Sequence, residues 1–318
     1  MTQSAFSVEP APAVLGLDVA KNTVVFHDAR SGRAVTIANT KAALRTALAP
    51  FVGHDLAVCE ATGGYERAVL DAAFALGLPI HRADAAKVKA FIASHGGQAK
   101  TDVIDARWLA RYAAERGAGL APWKPPAPER EAFAELVHHR QDLLAQRTQA
   151  KNRRAAPGGA AVDTLLARQI AFLNEQIDHI DRALADLLKA VPALARAEAA
   201  LRAVPGLGPV AARTLLALLP ELGTLSGKQA ASLAGLAPHP RDSGERTTRR
   251  RIRGGRAGIR PVLFMAALSA ARRHPRLARV YEKLITAGKP KRLALTAIAR
   301  KLVVIANAIL RDSIIQNN

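Results

Sequence analysis

Ala13-Val14-Leu15-Gly16-Leu17-Asp18-Val19-Ala20-Lys21-Asn22-Thr23-Val24-Val25-Phe26-His27 is the stretch on which the fold of this chain turns. It holds two β-rich runs, 14–18 and 23–27, joined by the turn residues Lys21 and Asn22, and a third run, 34–37, follows Ser31-Gly32. Short apolar runs punctuated in this way predict a three-stranded meander. Working outward, the pattern predicts a helix over 40–48, a strand over 56–60, a helix over 64–76, a strand over 79–82 and a helix near 85–93. After the Gly96-Gly97 break, Thr101 is placed to cap a helix running to about 115, because an N-cap hydroxyl accepts a hydrogen bond from the first helical turn.

The order βββαβαβαα is the one the ribonuclease H fold requires. Four carboxylates fall where such a fold places metal ligands. Asp18 ends the run 13–17 and Glu60 ends the run 55–59, so both stand at carboxyl ends of strands, where open α/β sheets bind ligands. Asp102 and Asp105 form D-x-x-D at the start of a helix, and residues three apart share one helix face. Four acids brought together would repel and raise one another's pKa, whereas one or two Mg²⁺ ions make the cluster favourable. Asp18, Glu60, Asp102 and Asp105 are therefore the candidate metal ligands and catalytic acids.

The chain has 318 residues, enough for about two domains with real cores. Its net charge of +20 and pI near 11.0 point to a polyanionic partner. The charge is uneven: residues 1–117 carry 13 Lys and Arg against 11 Asp and Glu, so most of the excess lies beyond them. The single cysteine, Cys59, excludes an intramolecular disulfide, and its place in an apolar strand favours packing over chemistry. The first twelve residues lack the order of a signal peptide, and no apolar run is read as approaching the roughly 18 residues of a membrane span. A cytoplasmic, nucleoid-associated protein with no membrane partner is expected.

Pro122, Pro125, Pro126 and Pro128 predict a stiff linker over 118–128. Two long amphipathic helices, about 129–154 and 163–189, predict an antiparallel coiled-coil hairpin over 129–190. Arg140, Arg147 and Arg154 recur every seven residues, nearly one face of a helix; they read either as a basic ridge along nucleic acid or as a solvated coiled-coil flank. The mainly helical segment 191–318 follows. Its Gly206-Leu207-Gly208 turn between two helices reads as a helix-hairpin-helix element that presents N–H groups to a phosphate, or as an ordinary helical joint. No GKS or GKT phosphate loop is present.

A second site lies at 241–256. There Arg241, Arg246, Arg249, Arg250, Arg251, Arg253 and Arg256 surround Ser243-Gly244 with only two acids. Arginines that neutralise a phosphodiester would favour attack by a serine hydroxyl that is otherwise a poor nucleophile. Gly254-Gly255 supply a point of close backbone approach. The nine histidines show no zinc spacing, and with aromatics at 4% phosphate contacts rather than base stacking should dominate binding.

Together, Leu17-Asp18-Val19-Ala20-Lys21, Glu60-Ala61-Thr62-Gly63, Lys100-Thr101-Asp102-Val103-Ile104-Asp105-Ala106, Ala237-Pro238 with Ser243-Gly244, Ile252-Arg253-Gly254-Gly255-Arg256, 263–267 and the tail residues His274-Pro275, Tyr281, Gly288-Lys289 and Ala299-Arg300-Lys301-Leu302 resemble the DEDD-type insertion-sequence transposases. The resemblance covers nearly the whole chain, departing at Thr248, where a glycine is common, and Phe264, where a tyrosine is common. It implies a RuvC-like α/β domain over 1–117, the hairpin as connector, and a C-terminal transposase domain over 191–318. It further implies Mg²⁺ at the four carboxylates, Ser243 as a nucleophile forming a phosphoserine link, and donor and target DNA chosen by a bridge RNA. Because strand exchange handles several DNA ends, a homodimer assembling into a tetramer on DNA is expected. Two rivals stand beside it: a RuvC-like nuclease in which water attacks and Ser243 merely binds phosphate, and a non-catalytic nucleic-acid-binding scaffold.

Overall fold

The meander forms as expected: β1 (Val14–Val19) pairs antiparallel with β2 (Thr23–Asp28), which pairs antiparallel with β3 (Ala34–Ala38). The chain continues through α1 (Lys41–Leu48), β4 (Leu56–Glu60), α2 (Arg67–Leu76), β5 (Ile80–Ala83), α3 (Ala85–Ser94) and α4 (Asp102–Arg116). β4 runs parallel to β1 and β5 parallel to β4, giving the sheet order β3-β2-β1-β4-β5. This computed structural model describes residues 12–97, 101–239 and 251–315. The chain divides into two units, Met1–Pro126 and Ala127–Asn318.

Strand alternation sorts the first unit into two layers around the sheet. Leu15, Leu17, Val19, Ala57 and Cys59 face Leu44 and Leu48 of α1 and Val69, Leu70 and Ala73 of α2. Val14, Leu56 and Val58 face Val88 and Phe91 of α3 and Leu109, Tyr112 and Ala113 of α4. Burial on both faces explains why β1 and β4 read as nearly continuous apolar runs. Side-chain caps start three helices: Thr40 for α1, Asp84 for α3 and Thr101 for α4. The expected linker is tied to this unit through Trp123, whose N–H donates to Ile80 O at 2.6 Å and whose ring lies under Arg67 at 5.5 Å.

The second unit begins with α5 (Pro128–Ala155) and α6 (Asp163–Ala190), the long antiparallel pair, and continues through α7 (Pro192–Arg202), α8 (Pro209–Leu218) and α9 (Gly227–Leu233). A two-residue ladder joins β6 (Pro238–His239) to β7 (Arg251–Ile252), and α10 (Ile259–Arg273), α11 (Pro275–Thr286) and α12 (Lys291–Ile315) complete the unit. Proline opens α5, α7, α8 and α11, where its missing N–H costs no hydrogen bond. The near ends of the hairpin enter the helical core: Phe133, Val137, Leu184 and Leu188 pack in one cluster with Leu201, Leu215, Leu263 and Leu302. Farther out, Leu143, Leu173 and Ile177 form a separate small cluster. Thus the segments expected over 129–190 and 191–318 share one core.

One sequence expectation is corrected here. Within α12, Lys291–Ser313 is long and apolar enough, by length and composition, to cross a membrane. Half of it is buried inside the unit, where Leu295, Ile298, Leu302, Val303 and Leu310 join the helical core, so the apolar run is accounted for by packing against α7, α9 and α10.

Candidate active site

The four carboxylates come from three elements that meet at one end of the sheet. α4 lies directly on β1, because a Cβ added to Gly16 would stand 2.0 Å from Ala106 O and 2.3 Å from Ala110 N. Just beyond the other end of α4, a Cβ added to Gly117 would stand 3.7 Å from Cδ2 of Leu56 at the start of β4. The helix therefore runs antiparallel to β1 and β4, and its first turn sits at their carboxyl ends. Period-two alternation puts Asp18 on the same face as Val14 and Gly16, and Glu60 on the same face as Leu56 and Val58, the face that α4 covers. The parallel register Leu17↔Cys59 sets Asp18 beside Glu60. Asp102 and Asp105 occupy the first turn of α4, where Thr101 Oγ1 accepts from Ile104 N at 3.3 Å and the helix dipole favours negative charge.

Asp18, Glu60 and Asp105 are half-buried and Asp102 is exposed. None of Asp18, Glu60 and Asp105 is without a partner. Four carboxylates are an all-oxygen donor set suited to a hard divalent cation. Among the described residues, however, no three His, Cys, Asp or Glu side chains come together as a ready metal-ligand group.

The backbone around this end is braced by residues that pattern reading did not single out. Glu66, only 2% exposed, accepts from Thr62 N at 3.1 Å, Thr62 Oγ1 at 3.0 Å and Gly64 N at 2.8 Å. Its other oxygen meets Arg82 Nη2 at 2.6 Å. Burial alone would raise the Glu66 carboxyl, but these donors hold it at about 2. Glu66 thereby fixes the loop that leaves Glu60 through Gly63 and Gly64, both at positive φ. Asn39 ties that loop to the turn after Asp18, its Nδ2 donating to Ala20 O at 3.0 Å and Tyr65 O at 3.1 Å. The signal in the sequence was the acid closely following Thr62-Gly63-Gly64, a turn whose N–H groups require an acceptor. Cys59 stays a buried neutral thiol, its pKa pushed up to about 12 by burial and the neighbouring Glu66 charge, consistent with packing.

Ser243 lies outside the described residues, as do Arg241, Arg246, Arg249 and Arg250. What is described is the pair of limbs flanking them. β6 and β7 join through Pro238↔Ile252 and His239↔Arg251. Below that ladder the glycine pair makes the close approach expected of it, against the backbone of Gly235: a Cβ on Gly255 would stand 2.2 Å from Gly235 N, and one on Gly235 would stand 2.3 Å from Gly254 O. Arg251 and Arg253 are exposed to solvent. Arg256, its side chain 39% exposed, donates from Nη1 to Leu218 O at 2.6 Å and to Glu221 Oε2 at 2.8 Å.

The heptad arginines reach across the hairpin. Arg140 Nε and Nη2 donate to the two oxygens of Asp181 at 2.8 and 3.0 Å, Arg147 Nη1 to Asn174 Oδ1 at 2.9 Å, and Arg154 Nε and Nη2 to Asp163 at 2.7 and 3.2 Å. Every partner is on α6. Arg213 extends the first of these pairs, 3.9 Å from Asp181 and donating to Glu198 at 2.9 Å. In the α7–α8 turn, Gly206 is a packing position, since a Cβ there would stand 2.6 Å from Ala270 Cβ. Gly208 has open space around it and is exposed at the N-cap of α8.

A DEDD transposase model of the IS110 type matches residues 15–156, which include all four carboxylates, and a model described as transposase IS116/IS110/IS902 family matches residues 198–282, which include Ser243. The chain is 27% identical to a pilin gene-inverting protein of Moraxella bovis, over 94% of this chain and 96% of that one. It is 28% identical to a pilin gene-inverting protein of Moraxella lacunata, over 80% of each. An uncharacterized 44.8 kDa protein of insertion element IS116 from Streptomyces clavuligerus is 34% identical over 46% of this chain and 36% of its own length. The chain thus carries the two domains of the IS110/IS116/IS902 transposases, a DEDD domain followed by a transposase domain.

Proposed function

We propose that this chain is a DNA recombinase that cleaves and rejoins strands through a covalent phosphoserine intermediate. The observation that carries the reading is the arrival of Asp18, Glu60, Asp102 and Asp105 at one end of the sheet, in a chain whose second domain bears Ser243 among arginines. Ser243 Oγ attacks the scissile phosphorus; the Oγ–P bond forms, the P–O3′ bond breaks, and the serine proton ends on the released 3′-oxygen. In the second step a 3′-hydroxyl of the partner strand attacks the same phosphorus; a new P–O3′ bond forms, the Oγ–P bond breaks, and the proton of that hydroxyl ends on the released serine Oγ. One phosphodiester is exchanged for another, so no nucleotide hydrolysis is needed. Relatives named for inverting a pilin gene support strand exchange over simple hydrolysis.

The four carboxylates would hold Mg²⁺, which when bound supplies charge neutralisation at the scissile phosphate. The arginines at 241–253 bind and orient the DNA backbone, and Gly208 with the exposed start of α8 adds a helix-hairpin-helix phosphate contact. The family resemblance extends the proposal to a bridge RNA that selects donor and target, and the several DNA ends that strand exchange handles extend it to a homodimer that assembles into a tetramer on DNA in the cytoplasm.

The test incubates the protein, its flanking RNA, Mg²⁺ and a nicked donor duplex, then resolves protein-linked DNA on a denaturing gel for wild type and Ser243→Ala. An adduct present in wild type and absent from the variant is the expected result. Cleavage by both proteins without any adduct would replace this reading with a hydrolytic nuclease working at the carboxylates alone.

A further inference from the structure

The returning limb of the arginine-rich segment is bolted to the helical core through a residue whose charge pattern reads as a DNA contact. Arg256 engages the chain at three points. Its backbone N–H donates to Leu233 O at 2.8 Å, at the end of α9. Its Nη1 donates to Leu218 O at 2.6 Å, at the end of α8, and to Glu221 Oε2 at 2.8 Å, while its Nη2 donates to Glu221 Oε1. Burial alone would raise the Glu221 carboxyl, yet the Arg256 hydrogen bond holds it below its ordinary value, so the pair is ionised.

The turn that carries Glu221 is itself anchored. Asn307 of α12, 2% exposed, accepts from Gly223 N at 2.9 Å and donates to Leu225 O at 2.7 Å. On the outgoing limb, Gly235 meets Gly254 and Gly255 backbone to backbone, and Arg260 Nη2 donates to Gly254 O at 2.7 Å. The two limbs that bracket residues 240–250 therefore depart from a rigid base whose separation is fixed by glycine contact and whose position on the core is fixed by Arg256. A phosphate approaching Arg256, whose side chain is 39% exposed, would have to compete with the Glu221 carboxylate that both its Nη atoms already engage.

We infer that Arg256 is a positioning residue which, paired with Glu221, fixes the base of the segment carrying Ser243, so that it governs the rate of the covalent step and not affinity for DNA. The inference deepens the serine-recombinase reading and depends on it for its kinetic half. Misplacing a nucleophile by about 1 Å costs on the order of a hundredfold in rate. Losing a phosphate contact instead lowers the slope of log affinity against log salt by about 0.9.

The experiment uses the full chain and the variants R256Q, R256K, E221Q, the charge reversal R256E/E221R, R253Q and S243A. Binding to a random-sequence duplex is titrated from low to high salt, and adduct formation on a nicked donor duplex is followed in single turnover at saturating protein. R256Q and E221Q are expected to lower the adduct rate by about ten- to a hundredfold with affinity and salt slope unchanged. The charge reversal should recover part of the rate, and R256K less than the reversal. R253Q should differ from R256Q in lowering the salt slope by about 0.9.

R256Q binding with a slope lowered by about 0.9 at an unchanged saturated rate would overturn the inference, as would an E221Q protein indistinguishable from wild type. Should R256Q not fold, as read by its thermal melt, E221Q and the charge reversal carry the test. The two levels fail separately: wild-type adduct yield in S243A sinks the serine reading, while an inactive S243A beside a fully active R256Q sinks only the role assigned to Arg256.

Discussion

Arg82 closes on Glu66 at 2.6 Å, a half-exposed cation sealing a carboxylate that is itself 2% exposed. The pair locks β5 to the loop that delivers Glu60 into the acidic end of the sheet. Glu66→Gln keeps the shape and removes the charge, and should cost about 2 kcal/mol of stability, because hydrogen bonds to a charged acceptor in a buried site are lost. Urea unfolding followed by circular dichroism checks the magnitude.

The same carboxylate makes the first unit acid-sensitive. Glu66 falls from 4.5 to about 2, and Asp28, held by Ser31, His54 and the backbone N–H groups of Arg30 and Ser31 against its burial, falls from 3.8 to about 2. Both are depressed in the folded state, so their contribution is complete above about pH 4.5 and is lost as pH falls toward about 2. The melting temperature of wild type should drop steeply through that window, and the drop should be shallower in Glu66→Gln. An equal slope in the two proteins would remove Glu66 from the account.

Gly16→Ala should displace α4 from β1, since its Cβ would collide with backbone on Ala106 and Ala110 and not with a movable side chain. A cost of about 3 kcal/mol is expected from overpacking. Gly53→Ala, where nothing lies within 4 Å of the added Cβ, serves as the control and should leave the melt unchanged. Because α4 carries Asp102 and Asp105, any folded Gly16→Ala protein should also lose its response to Mg²⁺.

That response is the most direct check on the carboxylates. Binding to the folded state alone raises stability by about 2.7 kcal/mol at a hundredfold excess over the dissociation constant. Mg²⁺ titrated against wild type should raise the melting temperature saturably, whereas Asp102→Asn, which alters an exposed member of the quartet, should melt like wild type without the ion and respond weakly to it. Equal shifts in both proteins would place the ion elsewhere.

The hairpin arginines should separate by burial. The Arg140 side chain is 15% exposed and joined to Asp181 and, through it, to Arg213; that of Arg154 is 44% exposed and paired with Asp163 alone. Arg140→Ala should cost about 1–2 kcal/mol, between the values for surface and buried pairs, and Arg154→Ala should leave the unfolding midpoint within error. If both are clasps on α6, neither change should alter the salt slope of DNA binding.

The α/β unit was legible because its signals are local: β1 and β4 are apolar runs ended by acids, and Thr101 caps its helix as expected. The placement of Asp18, Glu60, Asp102 and Asp105 followed from strand ends and one helix turn. Glu66 and Asn39 escaped because their partners are backbone atoms of loops whose shape no periodicity encodes. The arginine heptad was visible, yet its partners run the other way along α6, from Asp181 to Asn174 to Asp163, a correspondence that appears only once the helices are known to be antiparallel. The base under Ser243 was the least legible part. Two-residue strands carry no alternation, and Gly235 and Gly255 meet across a segment that gives no hint of which backbones touch.

α5 and α6 each run 28 residues, about 42 Å at 1.5 Å per residue, and only their near ends enter the core through Phe133, Val137, Leu184 and Leu188. A helix pair rooted in this way is a lever. A tilt of about five degrees at the root moves the far end by about 2 Å, and a load applied at the far end returns as torque on the packing around Leu215 and Leu263, the same helices that seat the glycine turn and Arg256.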